Sequence, residues 1–590
     1  NKFADITYAD FVYSVTNLPG GLSIDPYNGL ITGTIAANAS TSSGSYDYST
    51  ASVTVTELDA SGNPTSNSIT RSFHWVVTNV APTASSDAKS TAVNTAVNGN
   101  VLTNDSDGAP DSDALTVTKI NGTNYAGGSI ATTHGAVTVN TTTGAYTYTP
   151  TAGYTGADSF TYTISDGQGG ISTATVNLNI VGVNSVSVNE GSPYAVFTVS
   201  GAANQQVSLA LANGTAAFDA NGVPLFDGSE DFGPTVQYST DNGANWTAYS
   251  SGTVALNSSG ALLVRTTVIN DTLYEGAQTF TLNVTDVLGA SAVGTGTIHD
   301  DGTGQWFDGT GGTGSNAAPN GSALNDDRPS FAINDVTVNE AAGTMTFTVT
   351  KTGNTALTSS VSWATADDSA VAGSDYTAAS GTLTFAAGVT SQTITINITD
   401  DGVYERSEAF KINLSAASAA VIGDGLGIAT IRDDGTGNSS YGGSGTGTND
   451  DRTLSVNNIS VNEGSPYGVF TVTANIGETL TLALNDGSAS GSGTDYGTTG
   501  SDGHVAMEYS TDGGSTWTNY TAGFTVPGSG VGTASVLVRT SVTNDSTYEG
   551  AETLTLDATY TSGLARSQTG TATIHDDGTG QWFDGTGGTG

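Results

Sequence analysis

The chain has 590 residues, no cysteine, and 55 acidic against 13 basic side chains, for a net charge of −42. That length calls for several domains, and the charge excludes both a nucleic-acid footprint and adsorption to an anionic membrane. The missing thiols exclude disulfides, thiolate zinc sites, iron–sulfur clusters and cysteine nucleophiles. Only 12 % of residues are charged, so this is not a polyelectrolyte tail, and no run approaches the ~18 apolar residues of a membrane span. The sequence begins without Met in a strand-like segment and ends in a glycine-rich stretch. It is expected to be a piece of a longer polypeptide.

In chain order, residues 1–80 form a first module, marked by Leu18-Pro19-Gly20-Gly21-Leu22-Ser23-Ile24-Asp25 and Gly29-Leu30-Ile31-Thr32-Gly33-Thr34, with a boundary at Ala81-Pro82. Residues 83–182 form a second, carrying Tyr146-Thr147-Tyr148-Thr149-Pro150 and Asp158-Ser159-Phe160-Thr161-Tyr162, with an acidic stretch at Asp105, Asp107, Asp111 and Asp113. Then come three repeats, 183–302, 330–435 and 454–578. Between them lie connectors 303–329 and 436–453, rich in Gly, Thr, Ser and Asn, and the start of another occupies 579–590. By composition the connectors are flexible unless something orders them. Alternation with a period of two pervades the repeats, as in Met345, Phe347 and Val349 against Thr344, Thr346, Thr348 and Thr350. This predicts short antiparallel strands and an all-β sandwich for each module.

Val186 to Tyr194 returns almost unchanged at Ile459 to Tyr467, and Ile298 to Asp308 returns at Ile574 to Asp584, so the outer repeats are near-duplicates. The middle repeat has diverged, yet it keeps acidic turns at Asn339-Glu340, Gly373-Ser374-Asp375-Tyr376, Asp400-Asp401-Gly402-Val403-Tyr404-Glu405 and Asp433-Asp434-Gly435. One Asp-Asp-Gly is an ordinary turn. Four acidic turns recurring together at strand ends gather carboxylates that repel one another unless a hard cation lies between them. Ca²⁺, which takes roughly six to eight oxygens from flexible loops, is the expected ion.

These residues resemble the Calx-β domains of sodium–calcium exchangers and bacterial surface proteins. The resemblance implies ligands at Glu190, Asp231, Asp271, Glu275, Asp300 and Asp301 in the first repeat. In the middle repeat it implies Glu340, Asp375, Asp401, Glu405, Glu408, Asp433 and Asp434. In the last it implies Glu463, Asp495, Asp545, Glu549, Glu552, Asp576 and Asp577. Two departures imply fewer ions or weaker binding: Gln278 stands where the other repeats have Glu408 and Glu552, and the terminal Asp-Asp-Gly is one acid short of the exchanger-like run. Residues 83–182 resemble cadherin-like repeats of large bacterial adhesins, with a second cation site implied around Asp105 and Asp107. Residues 1–80 resemble an immunoglobulin-like module of the dystroglycan type without its first strands. The fold expected is therefore all-β, a tandem array of immunoglobulin-like and Calx-β antiparallel sandwiches joined by Gly-rich linkers.

Ser239-Thr240-Asp241-Asn242-Gly243-Ala244-Asn245-Trp246 and Ser510 to Trp517 match the Asp-box of sialidases. A sialidase also needs an arginine cluster for its substrate carboxylate, and the eight arginines are scattered. The box is read as a structural hairpin. His299 and His575 precede acidic pairs, but Arg432 replaces them in the middle copy and no nucleophile elbow accompanies them. A glycosidase would need a deep aromatic cleft that small sandwiches lack. No catalytic residue is assigned. Trp306-Phe307 and Trp582-Phe583 are expected to fold back on a neighbouring sandwich, the alternative being a contact between chains. The reading is a Ca²⁺-binding extracellular stalk of a bacterial surface adhesin, not an enzyme. Its partners would be Ca²⁺, copies of itself or other surface proteins, and glycans through a part not present. The alternatives are a subunit of a self-assembling Ca²⁺-dependent filament and, behind it, a carbohydrate-binding or carbohydrate-active surface protein.

Overall fold

The computed structural model describes residues 10–36, 39, 45–108, 113–218, 230–437, 449–491, 493–497 and 506–584. The chain divides into two compact units, Asn1–Asp327 and Arg328–Gly590. Each is built of mainly antiparallel sheets that take in a few parallel pairs, with short 3₁₀ turns as the only helical elements among the described residues.

In the first unit, Phe11–Thr16, Ala51–Leu58 and Pro64–Phe73 form a three-stranded sheet. The next module buries Tyr148, Phe160, Tyr162 and Val176 between two sheets. Its last strand, Ile171–Val183, pairs antiparallel with Gly156–Ser165 and parallel with Asp87–Ala92. Gly182 and Val183 then pair with Ser200 and Val199 of the first repeat. The boundary expected at 182/183 therefore falls inside a strand. One sheet runs through both modules there, and no Gly-rich linker separates them, because apolar alternation continues across the join.

The three repeats share one plan. A short strand after the first kink runs parallel to the last strand of the sandwich: Val186–Asn189 with Ser291–His299, Val336–Asn339 with Leu426–Arg432, and Ile459–Asn462 with Arg566–His575. Register puts Asn189 opposite His299, Asn339 opposite Arg432 and Asn462 opposite His575. The next residue on each strand is acidic, so the register alone brings Glu190 to Asp300, Glu340 to Asp433 and Glu463 to Asp576. The expected alternation holds in Thr344–Thr352, where Met345, Phe347 and Val349 are buried.

The connector after the first repeat is ordered by its aromatic pair, as the expectation that Trp306-Phe307 folds back on a sandwich required. Phe307 is 2 % exposed in the core of that repeat, and its N–H donates to Ser192 Oγ. Trp306 exchanges backbone hydrogen bonds with Ser315. The Gly309 carbonyl accepts from Trp246 Nε1 at 2.6 Å and Arg265 Nη1 at 3.0 Å, and the Arg265 guanidinium lies between the Tyr194 and Trp246 rings. Glycine is required where this segment turns back: a Cβ on Gly304, at φ +87°, would lie 2.6 Å from the Asn189 nitrogen. In the last repeat Phe583 is buried likewise, whereas Trp582 is 58 % exposed, so phenylalanine is the anchor in both copies.

Candidate metal centres at the sandwich ends

In the middle repeat, Glu340 is 6 % exposed and Asp433 2 % exposed. Glu340 Oε1 accepts the Asp401 N–H at 3.2 Å, and Asp433 Oδ2 accepts the Glu405 N–H at 2.8 Å. Their other oxygens, Glu340 Oε2 and Asp433 Oδ1, are buried without a hydrogen-bond partner. A buried acceptor left unsatisfied costs about 1–3 kcal/mol, and more when charged. Burial and the neighbouring carboxylates push Glu340 up to about 8 and Asp433 up to about 7.

A second group stands beside the first. Oxygens of Asp375, Glu405 and Glu408 lie within 4.8 Å of one another, and burial, then the Asp375 charge, pushes Glu408 up to about 7. Asp375 is held by the Val371 N–H at 2.6 Å. Glu408 is placed by antiparallel pairing of its strand, where it faces Ile431.

The first repeat reproduces this arrangement. Glu190 Oε1 accepts the Asp271 N–H and Asp300 Oδ2 the Glu275 N–H, both at 2.9 Å. Asp231 is fixed by the Ala217 N–H at 2.7 Å. Burial is the largest cause pushing Glu190 up to about 8, Asp231 to about 7 and Asp300 to about 6. Gln278 donates to Glu275 Oε2 at 3.0 Å, so an amide replaces the third carboxylate of the second group. In the last repeat Glu463, Asp495, Glu549, Glu552 and Asp576 line one small cavity, and Asp495, Glu549 and Glu552 approach within 4.8 Å. Asp545 donates its N–H to Glu463 and Glu549 its N–H to Asp576.

Not every sequence candidate enters a cluster in the same way. Asp301, Asp434 and Asp577 cap their own turns, accepting the N–H of Thr303, Thr436 and Thr579 on Oδ1. Asp271, Asp401 and Asp545 likewise accept the N–H two residues on. In the second module Asp105 accepts from Ser85 N–H and Tyr162 Oη, and burial, with the Asp105 charge, pushes Asp87 up to about 6. Asp107 accepts the Asp113 N–H at 2.7 Å, while Asp111 lies outside the described residues.

Asp87, Asp327 and Asp451 went unmarked in the sequence reading, and Asp400 stood there only as part of an acidic turn, outside the implied ligand set. Oxygens of Glu340, Asp400 and Asp451 lie within 4.8 Å of one another, and Asn449 Nδ2 donates to Asp400 and Asp451, both at 2.7 Å. Asn325 Nδ2 makes the matching bond to Asp327 at 2.5 Å. The available signal was the recurrence of Asn-Asp-Asp-Arg at 325–328 and 449–452.

The set is all oxygen, anionic and offered by separate loops, which suits a hard cation of the Ca²⁺ kind rather than a thiolate- or imidazole-seeking metal. The Asp-boxes are hairpins: Asp241 accepts from Asn245 Nδ2 at 2.7 Å, Ser239 Oγ at 2.7 Å and Asn245 N–H at 2.9 Å, and these bonds hold it down at about 2.

Residues 325–434 match the sequence profile of the Calx-beta domain, 79–179 that of a bacterial Ig domain and 2–78 that of a putative Ig domain. These are structural repeat modules, not enzymatic families. No curated protein matches the chain. Among solved structures, the apo-form Calx CBD1 domain is 30 % identical over 97 % of its length and 18 % of this chain, with a TM-score of 0.17. A tetra-tandem repeat in the extending region of a large adhesion protein is 14 % identical over 99 % of its length and 82 % of this chain, with a TM-score of 0.30. Cadherin domains 1–5 of protocadherin gamma B2 align at 10 % identity over 94 % of their length and 96 % of this chain, with a TM-score of 0.20.

Proposed function

We propose that this chain, in which a Calx-beta domain comes after bacterial immunoglobulin-like domains, is a Ca²⁺-stapled segment of an extracellular bacterial surface stalk. One observation carries the reading. Glu340 and Asp433 are almost fully buried with like charges around them, and each keeps a carboxylate oxygen that no donor satisfies. A divalent cation is the partner that such oxygens lack.

Glu340, Asp401 and Asp433 would hold one ion and Asp375, Glu405 and Glu408 another. The first repeat offers Glu190, Asp231, Asp271, Glu275 and Asp300, and the last Glu463, Asp495, Asp545, Glu549, Glu552 and Asp576. The bound ion supplies positive charge and ties loops from four parts of each sandwich together. The protein's residues hold those loops at the end of each sandwich from which the connector leaves. Extracellular Ca²⁺ modules bind at roughly 10⁻⁴–10⁻³ M, so such sites would fill outside a cell and stay empty within it. The strand shared between the second module and the first repeat favours a stiff stalk over a flexible string.

Calorimetric titration of the full chain with Ca²⁺ tests this. Saturable binding, abolished in the middle repeat by Glu340→Gln with Asp433→Asn, is expected. Absence of binding at millimolar Ca²⁺ overturns the reading.

A further inference from the structure

We infer that the glycine-rich connector completes the cation site: Asp327 in the first repeat and Asp451 in the middle one are ligands of the ion held by Glu190 and Glu340. Ion binding then closes the returning end of the connector, 325–328 or 449–452, as a strap. This rests on the cation reading above and adds to it a ligand that comes from outside the sandwich.

Two observations carry it. First, the described returning ends of both connectors, 325–328 and 449–452, dock alike. Asp326 bridges Asp301 and Asp450 bridges Asp434 in antiparallel fashion. Asn189 Nδ2 donates to the carbonyls of His299, Thr303 and Asn325, and Asn339 Nδ2 to those of Arg432, Thr436 and Asn449. One asparagine amide thus fastens the last strand, the outgoing connector and the returning connector together.

Second, the returning acid lands among the others. Asp451 offers an oxygen within 4.8 Å of those of Glu340 and Asp400, and Asn325 Nδ2 donates both to Asp327 Oδ2 at 2.5 Å and to Glu190 Oε2 at 3.4 Å, which brings those two carboxylates together. Bringing another carboxylate to a group already short of donors is unfavourable without a cation. The unpartnered Oε2 of Glu340, in a side chain 6 % exposed, marks where that cation would be held.

In the middle repeat the strap has two faces. Asn449 and Asp451 turn to the carboxylates, while Asp450 and Arg452 between and beside them turn to the last repeat. Closing Asp451 on an ion therefore holds Arg452 in its socket.

The test uses the full chain, Ca²⁺ as probe, and three variants: Asp451→Asn, Asp327→Asn and, as a control on an exposed acid, Asp424→Asn. Titration calorimetry is expected to show at least a tenfold loss of affinity at one site for each strap variant and no change for the control. Melting in chelator separates ligation from a merely structural role. A ligand's removal relieves repulsion, so Asp451→Asn should melt no lower than the parent without Ca²⁺ and lower than it with Ca²⁺. Amide exchange at 449–453 should slow on adding Ca²⁺ in the parent but not in Asp451→Asn. Unchanged affinity in both strap variants, or equal destabilisation with and without Ca²⁺, overturns the inference. If Glu340→Gln abolishes binding while Asp451→Asn does not, the strap falls and the cation reading stands. If the parent binds no Ca²⁺, both fall.

Discussion

The Tyr404 hydroxyl donates a 2.5 Å hydrogen bond to the Glu478 carboxylate, joining the acidic loop of the middle repeat to the last repeat. Its neighbour Glu405 belongs to the cluster with Asp375 and Glu408, so adjacent residues of one loop serve the cation group and the junction. Glu478 is also met by Arg452, which is fully buried, pairs with Asp450 through Nε and Nη2 at 2.7 Å each, and donates to the carbonyls of Ser562, Leu564 and Asp434.

Replacing Arg452 by Leu leaves Asp450 and Glu478 without their shared counter-charge. Breaking one side of a buried ion pair costs about 3–5 kcal/mol, whereas Tyr404→Phe removes one hydrogen bond and costs about 1–3 kcal/mol. Scanning calorimetry of the full chain should show a lower transition for the second unit in both variants, with Arg452→Leu the larger effect.

Without an ion, stability should fall as pH rises. Burial and like charges lift Glu190 and Glu340 from 4.5 to about 8 and Asp433 from 3.8 to about 7. An acid whose folded value exceeds its unfolded one stabilises the fold below the unfolded value, and that contribution is lost as pH climbs through the folded value. Melting temperature in chelator is thus expected to drop between pH 5 and 8.5. Saturating Ca²⁺, which takes the place of the protons, should flatten that slope. A chelator curve that is flat over this range contradicts the arrangement.

Gln278 is the natural test of the second acidic group. Its amide donates to Glu275 where the other repeats place Glu408 and Glu552. Gln278→Glu should add a binding event to the Ca²⁺ titration of the full chain and lower the melting temperature in chelator, since it introduces a like charge beside Glu275 and Asp231.

The Asp-box predicts a structural phenotype and no catalytic one. Trp246→Phe deletes the bond to the Gly309 carbonyl while keeping the ring over Arg265, and Arg265→Ala removes both the bond and the stack. Amide exchange at residues 303–315 should accelerate in each, more in Arg265→Ala.

Strands and acidic turns were legible because both obey local rules: alternation fixes which face is buried, and Asp, Asn and Gly mark the turns. The pairing of Glu340 with Asp433 comes from parallel register, which sequence alone suggests only through the repeat of Asn-Glu and Asp-Asp. Composition reports chain stiffness and not anchoring, so the Trp306-Phe307 pair was the one sign in the sequence that the connector folds back. Phe307 buried in the core, and Asn189 hydrogen-bonded to three carbonyls, order a segment that glycine content marks as loose. Asp327 and Asp451 escaped notice for the same reason, since they sit in what composition assigns to linker. The join at Gly182 was hidden by a strand whose alternation gives no sign of where one module ends.

The most direct measurement is thermal unfolding of the full chain in millimolar Ca²⁺ and in chelator, for the parent and for Glu340→Gln with Asp433→Asn. An ion that binds only the folded state stabilises by about 2.7 kcal/mol at a hundredfold excess over Kd. The account predicts a rise of several degrees in the parent's second unit with Ca²⁺ and little or none in the double variant. Identical melting of the parent with Ca²⁺ and with chelator would contradict it, and would reduce the acidic ends of these sandwiches to turns.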